Sequence, residues 1–183
     1  MKLSLLFIVF LFLSLFSIGQ TVRFNKLSIK DGVSQSSILT LLEDDKGFIW
    51  AGTQDGLNRY DGYHFKTYKH RIDDKHSLSN SFINSIKQDP NSLQIWIGTQ
   101  NGGLNRFDPK TETFYTFPKS NILSQVDIQE LAIDKNGSVW FTTQNSGLYH
   151  YWPSNNKLEK HNVSNGLPFN KLNQLLIVED NIW

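Results

Sequence analysis

Residues 50–65 read WAGTQDGLNRYDGYHF, and close variants return at 96–114 (WIGTQNGGLNRFDPKTETF) and at 140–158 (WFTTQNSGLYHYWPSNNKL). The tryptophans act as a ruler, because Trp50, Trp96, Trp140 and Trp183 are spaced by 46, 44 and 43 residues. A period near 44 residues, built from short strands, is the signature of a propeller blade, a four-stranded antiparallel sheet that stacks on its neighbours. Within the first period Ser37–Glu43, Phe48–Thr53, Leu57–Tyr60 and His64–Tyr68 are strand-like, and Asp44-Asp45-Lys46-Gly47, Gln54-Asp55-Gly56 and Asp61-Gly62 are turns. The second copy places strands over Phe82–Gln88, Gln94–Thr99, Gly103–Phe107 and Thr113–Phe117. The third places them over Asp127–Ile133, Ser138–Thr143, Gly147–Tyr151 and Lys157–His161. The frequent Gly and Asn between runs exclude long amphipathic helices.

The recurring residues have structural roles to fill. Trp50, Trp96 and Trp140, with Leu57, Leu104 and Leu148, are expected between blades. Burying one tryptophan contributes about 2–3 kcal/mol, and no single sheet buries its own face, so the copies must stack. Gly52 and Gly98 allow neighbouring sheets to approach closely, and Gly56, Gly103 and Gly147 close the next turn. Thr53, Thr99 and Thr143 complete the motif. Thr142 replaces the glycine in the third copy, so the sheet spacing there is expected to differ.

The chain opens MKLSLLFIVFLFLSLFSIGQ: a lysine, an apolar run over Leu3–Ile18, and small residues Ser17 and Gly19. This pattern predicts a signal peptide over 1–19, cleaved after Gly19, since the run is short for a membrane span. The remainder has the apolar and aromatic content of a folded domain (39% and 13% for the whole chain). Its 18 basic and 17 acidic side chains are interspersed without a basic stripe, which argues against a nucleic-acid partner. With no cysteine, disulfides, thiolate catalysis and cysteine-based zinc sites are excluded.

Phe24–Ile38 (FNKLSIKDGVSQSSI) overlays Leu158–Leu172 (LEKHNVSNGLPFNKL), setting Gly32 on Gly166. The segment 20–36 is therefore expected to hold the last strand of a blade, a clasp that would remove open sheet edges in a closed ring. Blades follow at 37–81, 82–126 and 127–171, and a fourth begins at 172–183, where the copy stops inside its second strand. The expected fold is all-β, an incomplete ring of about 3.5 blades from the start of a longer protein.

Chemistry-bearing patterns are weak. His64, His70, His76, His150 and His161 show no metal-ligand spacing and are expected at the surface; no metal or cofactor is expected. Asp44/Asp45 and Asp73/Asp74 are adjacent rather than facing, and Asp44 recurs as Asp89 and Asp134, which marks turn formers rather than catalytic carboxylates. No catalytic residue is assigned. Gln54, Gln100 and Gln144, with Asn58-Arg59 and Asn105-Arg106, are either inter-loop ties or polar groups for a sugar. Stretches that break the repeat, Arg71–His76, Lys119–Gln125 and Trp152-Pro153, are further recognition candidates on loops. No ligand-binding residue is assigned from the sequence.

GFIWAGTQDGLNRYDGYHF, SLSNSFINSI, IWIGTQNGGLNRFD and DKNGSVWFTT resemble the two-component regulator propeller repeats of Bacteroidetes hybrid sensor proteins, from Phe24 to Trp183. The resemblance implies a periplasmic sensor region, usually two seven-bladed propellers, followed by a β-sandwich, a membrane helix, a histidine kinase and a receiver. It also implies an oligosaccharide ligand, a homodimer in the full-length protein, and a membrane attachment only through the signal peptide or a downstream helix. The alternatives are a secreted propeller enzyme acting on glycans and a non-catalytic adhesion or scaffold propeller.

Overall fold

The computed structural model describes residues 24–179 and 181–183; the expected signal peptide at 1–19, and 20–23 of the expected clasp segment, lie outside the described residues. Among the described residues the chain forms three four-stranded antiparallel sheets and one two-stranded hairpin, with no closed ring. The first sheet comprises β1 (Ile38–Glu43), β2 (Ile49–Thr53), β3 (Gly56–Tyr60) and β4 (Phe65–Tyr68), in sequential order. The second comprises β5 (Ile83–Gln88), β6 (Ile95–Thr99), β7 (Gly103–Asp108) and β8 (Thr113–Thr116). The third comprises β9 (Ile128–Ile133), β10 (Val139–Thr143), β11 (Leu148–Trp152) and β12 (Lys157–His161). The strand limits expected from the repeat differ from these by at most one residue at each end.

The hairpin of β13 (Ile177–Val178) and β14 (Asn181–Ile182) continues the series. Ile177 pairs with Ile182 as Ile133 pairs with Val139, so Trp183 takes the position of Trp140. Its lead segment is seated on the third sheet by Gly147 N–H donating to Asn170 O (2.9 Å) and Leu172 N–H to Thr143 O (3.3 Å). The first strands β1, β5 and β9 adjoin one another, which makes them the axial edge of the stack and β4, β8 and β12 its outer edge.

Each sheet is held by the next. Trp50 and Leu57 from the first sheet share a buried cluster with Ile83, Ile86, Ile95, Ile97 and Phe107 from the second, and Trp50 is only 1% exposed. The Trp50 ring meets Phe107 edge-on at 5.1 Å, a favoured aromatic geometry. Trp96 and Leu104 enter the same relation with Ile128, Leu131, Phe141 and Tyr151 of the third sheet. The close approach depends on glycine: a Cβ on Gly52 would stand 2.7 Å from Ile83 Cγ2 and 2.6 Å from Thr40 Cγ2, and one on Gly98 would sit closer still to Ile128. At Thr142 no such approach is possible, and its hydroxyl instead accepts the Glu130 N–H (3.1 Å). A groove of about 440 Å³ separates Trp140, Thr142 and Leu148 from Leu172, Leu175 and Ile182 of the following hairpin.

The overlay of the two ends has a structural counterpart. Ile29–Asp31 and Val163–Asn165 are single 3₁₀ turns, each with a reciprocal capping box (Ser28 with Asp31, Asn162 with Asn165) and each ended by a glycine at positive φ, Gly32 and Gly166. Residues 24–27, aligned with β12, are not in a strand. A strand forms only where a neighbouring edge supplies hydrogen-bond partners.

Gly98→Ala is expected to destabilise the protein by about 1–3 kcal/mol through overpacking against Ile128. Gly47→Ala, with open space around its Cβ position and only its φ of +81° to oppose the change, is expected to cost less. Urea unfolding of the two variants provides the comparison.

Candidate functional site

Equivalent positions in the three sheets carry different side chains, and the differences locate what is specific to each. Asn58 and Asn105 occupy the same place on the third strands. Asn58 Nδ2 donates to Ser34 Oγ (2.9 Å) and Ala51 O (3.1 Å), while its Oδ1 accepts from Ser34 N–H (2.9 Å) and Thr67 Oγ1 (2.9 Å). Asn105 likewise binds Ser79 through both ends of its amide, at 2.8 and 2.9 Å. Both asparagines are fully buried, so they tie the lead segment to its own sheet and offer nothing to a ligand. In the third sheet the place is taken by Tyr149, stacked on Phe141 at 5.1 Å.

The next position outward holds Arg59, Arg106 and His150, each paired with the repeat tryptophan across the strand. Arg59 and its neighbour Lys66 grip Glu112 from the second sheet at 2.7 and 2.5 Å. Their hydrogen bonds, Lys66 first, hold the Glu112 carboxyl below the usual range, and Glu112 in turn raises Lys66. Arg106 lies over Trp96 (5.8 Å) and Tyr115 (5.0 Å), but where Glu112 stood the third sheet offers Asn156, whose amide oxygen accepts from Tyr151 Oη (2.7 Å). Both Glu112 and Asn156 have positive φ, which marks the shared turn.

His150 was expected at the surface with the other histidines, and the structure buries it. It stacks on Trp140 (3.5 Å) and meets Trp152 at a tilt of 39° (3.4 Å), and its Nε2 lies 2.7 Å from Ser138 Oγ, which donates to Asp134. Burial lowers its pKa from 6.5 to about 4, against the opposing pull of Asp134 and Glu159; the His161 and Lys157 charges add to the depression. The signal was present in the repeat register, where His150 falls on two arginines that lie over tryptophans.

The remaining candidates separate cleanly. Asp44 accepts from Lys46 and Phe48 N–H (both 3.0 Å) and from the Trp50 indole (2.7 Å), so its oxygens hold the turn and the core tryptophan. In the second sheet Ser92 takes the corresponding oxygen of Asp89, and the Trp96 indole N–H is buried without a partner. Asp74 caps its loop through His76 N–H (2.9 Å). Of Lys119–Gln125, Leu123 is core and packs over Gly103, where no side chain fits. Gln54, Gln100 and Gln144 stand on the turns between second and third strands, and their backbone N–H groups bind Gln35 Oε1, Phe82 O and Asp127 O. Among the described residues no group of three His, Asp or Glu gathers as a metal site.

The axial edge differs in character. Lys87 on β5 pairs with Glu130 on β9 at 3.2 Å, with side chains 43% and 27% exposed, and Ser85 Oγ donates to Glu130 (2.7 Å). Beside them lies an open groove of about 490 Å³ that also meets Gln174 and Leu175, with Trp183 at its rim. A cation, a carboxylate and an amide converge here on one space, where the two complete inter-sheet seams are filled by apolar side chains.

The family described as "Two component regulator propeller" matches residues 32–55 and 77–101. Two stretches of this chain, in its first and second sheets, match two-component regulator propeller repeats. It is 38% identical over 76 residues to Histidine kinase P4 of Formosa agariphila, a stretch that covers 42% of this chain and 6% of that protein. Among solved structures it is similar to the extracellular domain assigned to the hybrid two-component system BT3049 of B. thetaiotaomicron (26% identity, TM-score 0.75, 83% of this chain and 22% of that one). The corresponding domain of BT4673 matches at 27% identity and a TM-score of 0.69, over 84% of this chain and 21% of that one. The chain spans about a fifth of each solved domain. Among the described residues no helix is long and apolar enough to cross a membrane.

Because folded His150 resists protonation, the unfolded chain binds more protons between pH 6.5 and about 4. Its contribution is complete above pH 6.5 and is lost as pH falls through that window. His150→Gln is expected to flatten the dependence of Tm on pH between those limits, measured by circular dichroism melts. Asn156→Glu, which restores a carboxylate opposite Arg106, is expected to stabilise the protein by about 0.2–1 kcal/mol at low salt and by less at 1 M salt.

Proposed function

We propose that this chain forms the N-terminal part of a sensor, exported to the periplasmic side of the membrane, that recognises an oligosaccharide and signals to a histidine kinase carried further along the same protein. It works by binding, with no bond made or broken in these residues, and full-length copies pair as homodimers. The observation that carries the ligand reading is the axial groove at Lys87 and Glu130. Its volume of about 490 Å³ suits a sugar unit or two, and hydroxyls need the paired donors and acceptors that Lys87, Glu130 and Gln174 provide. The likeness to extracellular domains of hybrid two-component systems supports the sensor reading.

Titration calorimetry against a panel of neutral and acidic oligosaccharides is the direct test. Lys87→Ala is expected to weaken the best binder roughly tenfold or more, as loss of a charge-assisted hydrogen bond does. A panel without binders, or a binder indifferent to Lys87 and Glu130, would remove the assignment of the groove. The gene downstream of the Trp183 codon is expected to encode an apolar span followed by a kinase phosphoacceptor histidine.

A further inference from the structure

The turn between the first two strands is built differently in the second sheet. It runs over residues 89–94, one residue longer than 44–48 and 134–138 in the neighbouring sheets. Three residues before the repeat tryptophan the first and third sheets hold Gly47 and Gly137, at φ +81° and +78°, where the second holds Leu93 at φ +60°. All three donate the same turn-closing bond, Leu93 N–H to Asp89 O at 2.9 Å, so the backbone path is kept although a leucine is strained where glycine is not. The longer turn also gives an Asp89 oxygen to Ser92, and it leaves the buried Trp96 indole N–H without the carboxylate that Trp50 finds in Asp44 (2.7 Å). Backbone strain of this kind collects at binding sites, and a cavity lies beside this turn.

The cavity, about 120 Å³, opens where turns of the first and second sheets meet, and Leu93 and Pro109 line it together with Asp45, Lys46, Asp108 and Lys110. Among the described residues neither lysine forms an ion pair. Each carboxylate is held by one oxygen: Asp45 Oδ1 accepts from Gln88 Nε2 (2.8 Å) and Asp108 Oδ1 from Lys110 N–H (2.8 Å). Their second oxygens stay open to a ligand. At the corresponding place in the second seam the Asn91 amide reaches across to Lys135 O (3.1 Å), and Gly137 stands where Leu93 does here. With both signs of charge around one cavity, a ligand of a single charge meets its like as well as its opposite, while a zwitterion is matched at both ends. The space admits a few water molecules or one small solute.

We infer that this cavity binds a small zwitterion of the α-amino acid class. Lys46 and Lys110 take its carboxylate, the second oxygens of Asp45 and Asp108 take its ammonium, and Leu93 and Pro109 receive its side chain. The cavity shares no lining residue with the axial groove at Lys87 and Glu130, and the inference does not rest on a sugar ligand.

Titration calorimetry of the purified chain with L-alanine is the test, with propionate, which lacks the ammonium, and ethylamine, which lacks the carboxylate, as controls. Alanine is expected to bind saturably at one site per chain, and each control about tenfold more weakly or worse, the loss that one charge-assisted contact brings. Lys110→Gln, at an exposed position, is expected to weaken alanine by a similar factor with Tm unchanged. Leu93→Gly, which restores the glycine of the other two turns, is expected to keep the circular dichroism spectrum and to weaken alanine binding. Lys87→Ala is expected to leave alanine binding as it is, so failure here and failure of the oligosaccharide groove are read separately. No saturable heat with alanine, propionate bound as tightly as alanine, or a Lys110→Gln variant with the parent's affinity would overturn the inference.

Discussion

A β-sheet in this protein has two apolar faces and covers neither of them, and that constraint organises the rest. The covering is done by the next sheet, through an indole that enters a bed of branched aliphatic and phenyl side chains. Trp50 among Ile83, Ile95 and Phe107, and Trp96 among Ile128, Phe141 and Tyr151, are two instances of one contact. The glycine two residues after each tryptophan sets the distance, since a single methyl group at Gly52 would strike Ile83 of the next sheet. Hydrogen bonds within sheets give the strands their shape, while the seam between sheets supplies the burial that keeps them together.

Around that fixed contact the three copies vary, and the variation follows charge. The first seam places two cations against one carboxylate; the second keeps the arginine but replaces the acid with an amide, and the cation rests on aromatic rings. At the third position the cation itself is gone, and a neutral histidine lies against two indoles. An arginine or a histidine over an indole covers the same apolar surface, so the seam tolerates the exchange. The histidine makes the third sheet's packing sensitive to acid, because its burial penalises the charged form.

What is particular to each unit lies where the repeat stops dictating. The seams are spent on packing and the buried Asn58 and Asn105 on holding lead segments. Lys87 and Glu130 occupy positions held by Leu42 and Thr40 in the first sheet, and so owe nothing to the shared pattern. Their place on the axial edge, where first strands from successive sheets adjoin, lets side chains from different copies converge on one groove. That is how a scaffold of near-identical units brings unlike groups together.

The blade, its four strands and the tryptophan–glycine motif were legible in the sequence, because a repeated period and a two-residue alternation are local properties that any copy displays. The carboxylates of Asp44, Asp89 and Asp134 as turn formers followed from recurrence in the same way. The burial of His150 did not follow, since a histidine in a strand looks the same whichever face the neighbouring Trp140 and Trp152 close over. The Lys87–Glu130 pair is likewise absent from any motif, as the two residues are 43 positions apart and meet only because β5 and β9 lie side by side. The sequence by itself thus determined the unit and its repetition. Only the tertiary structure decided which side chains of different units share a space, because that depends on how one sheet is set against the next.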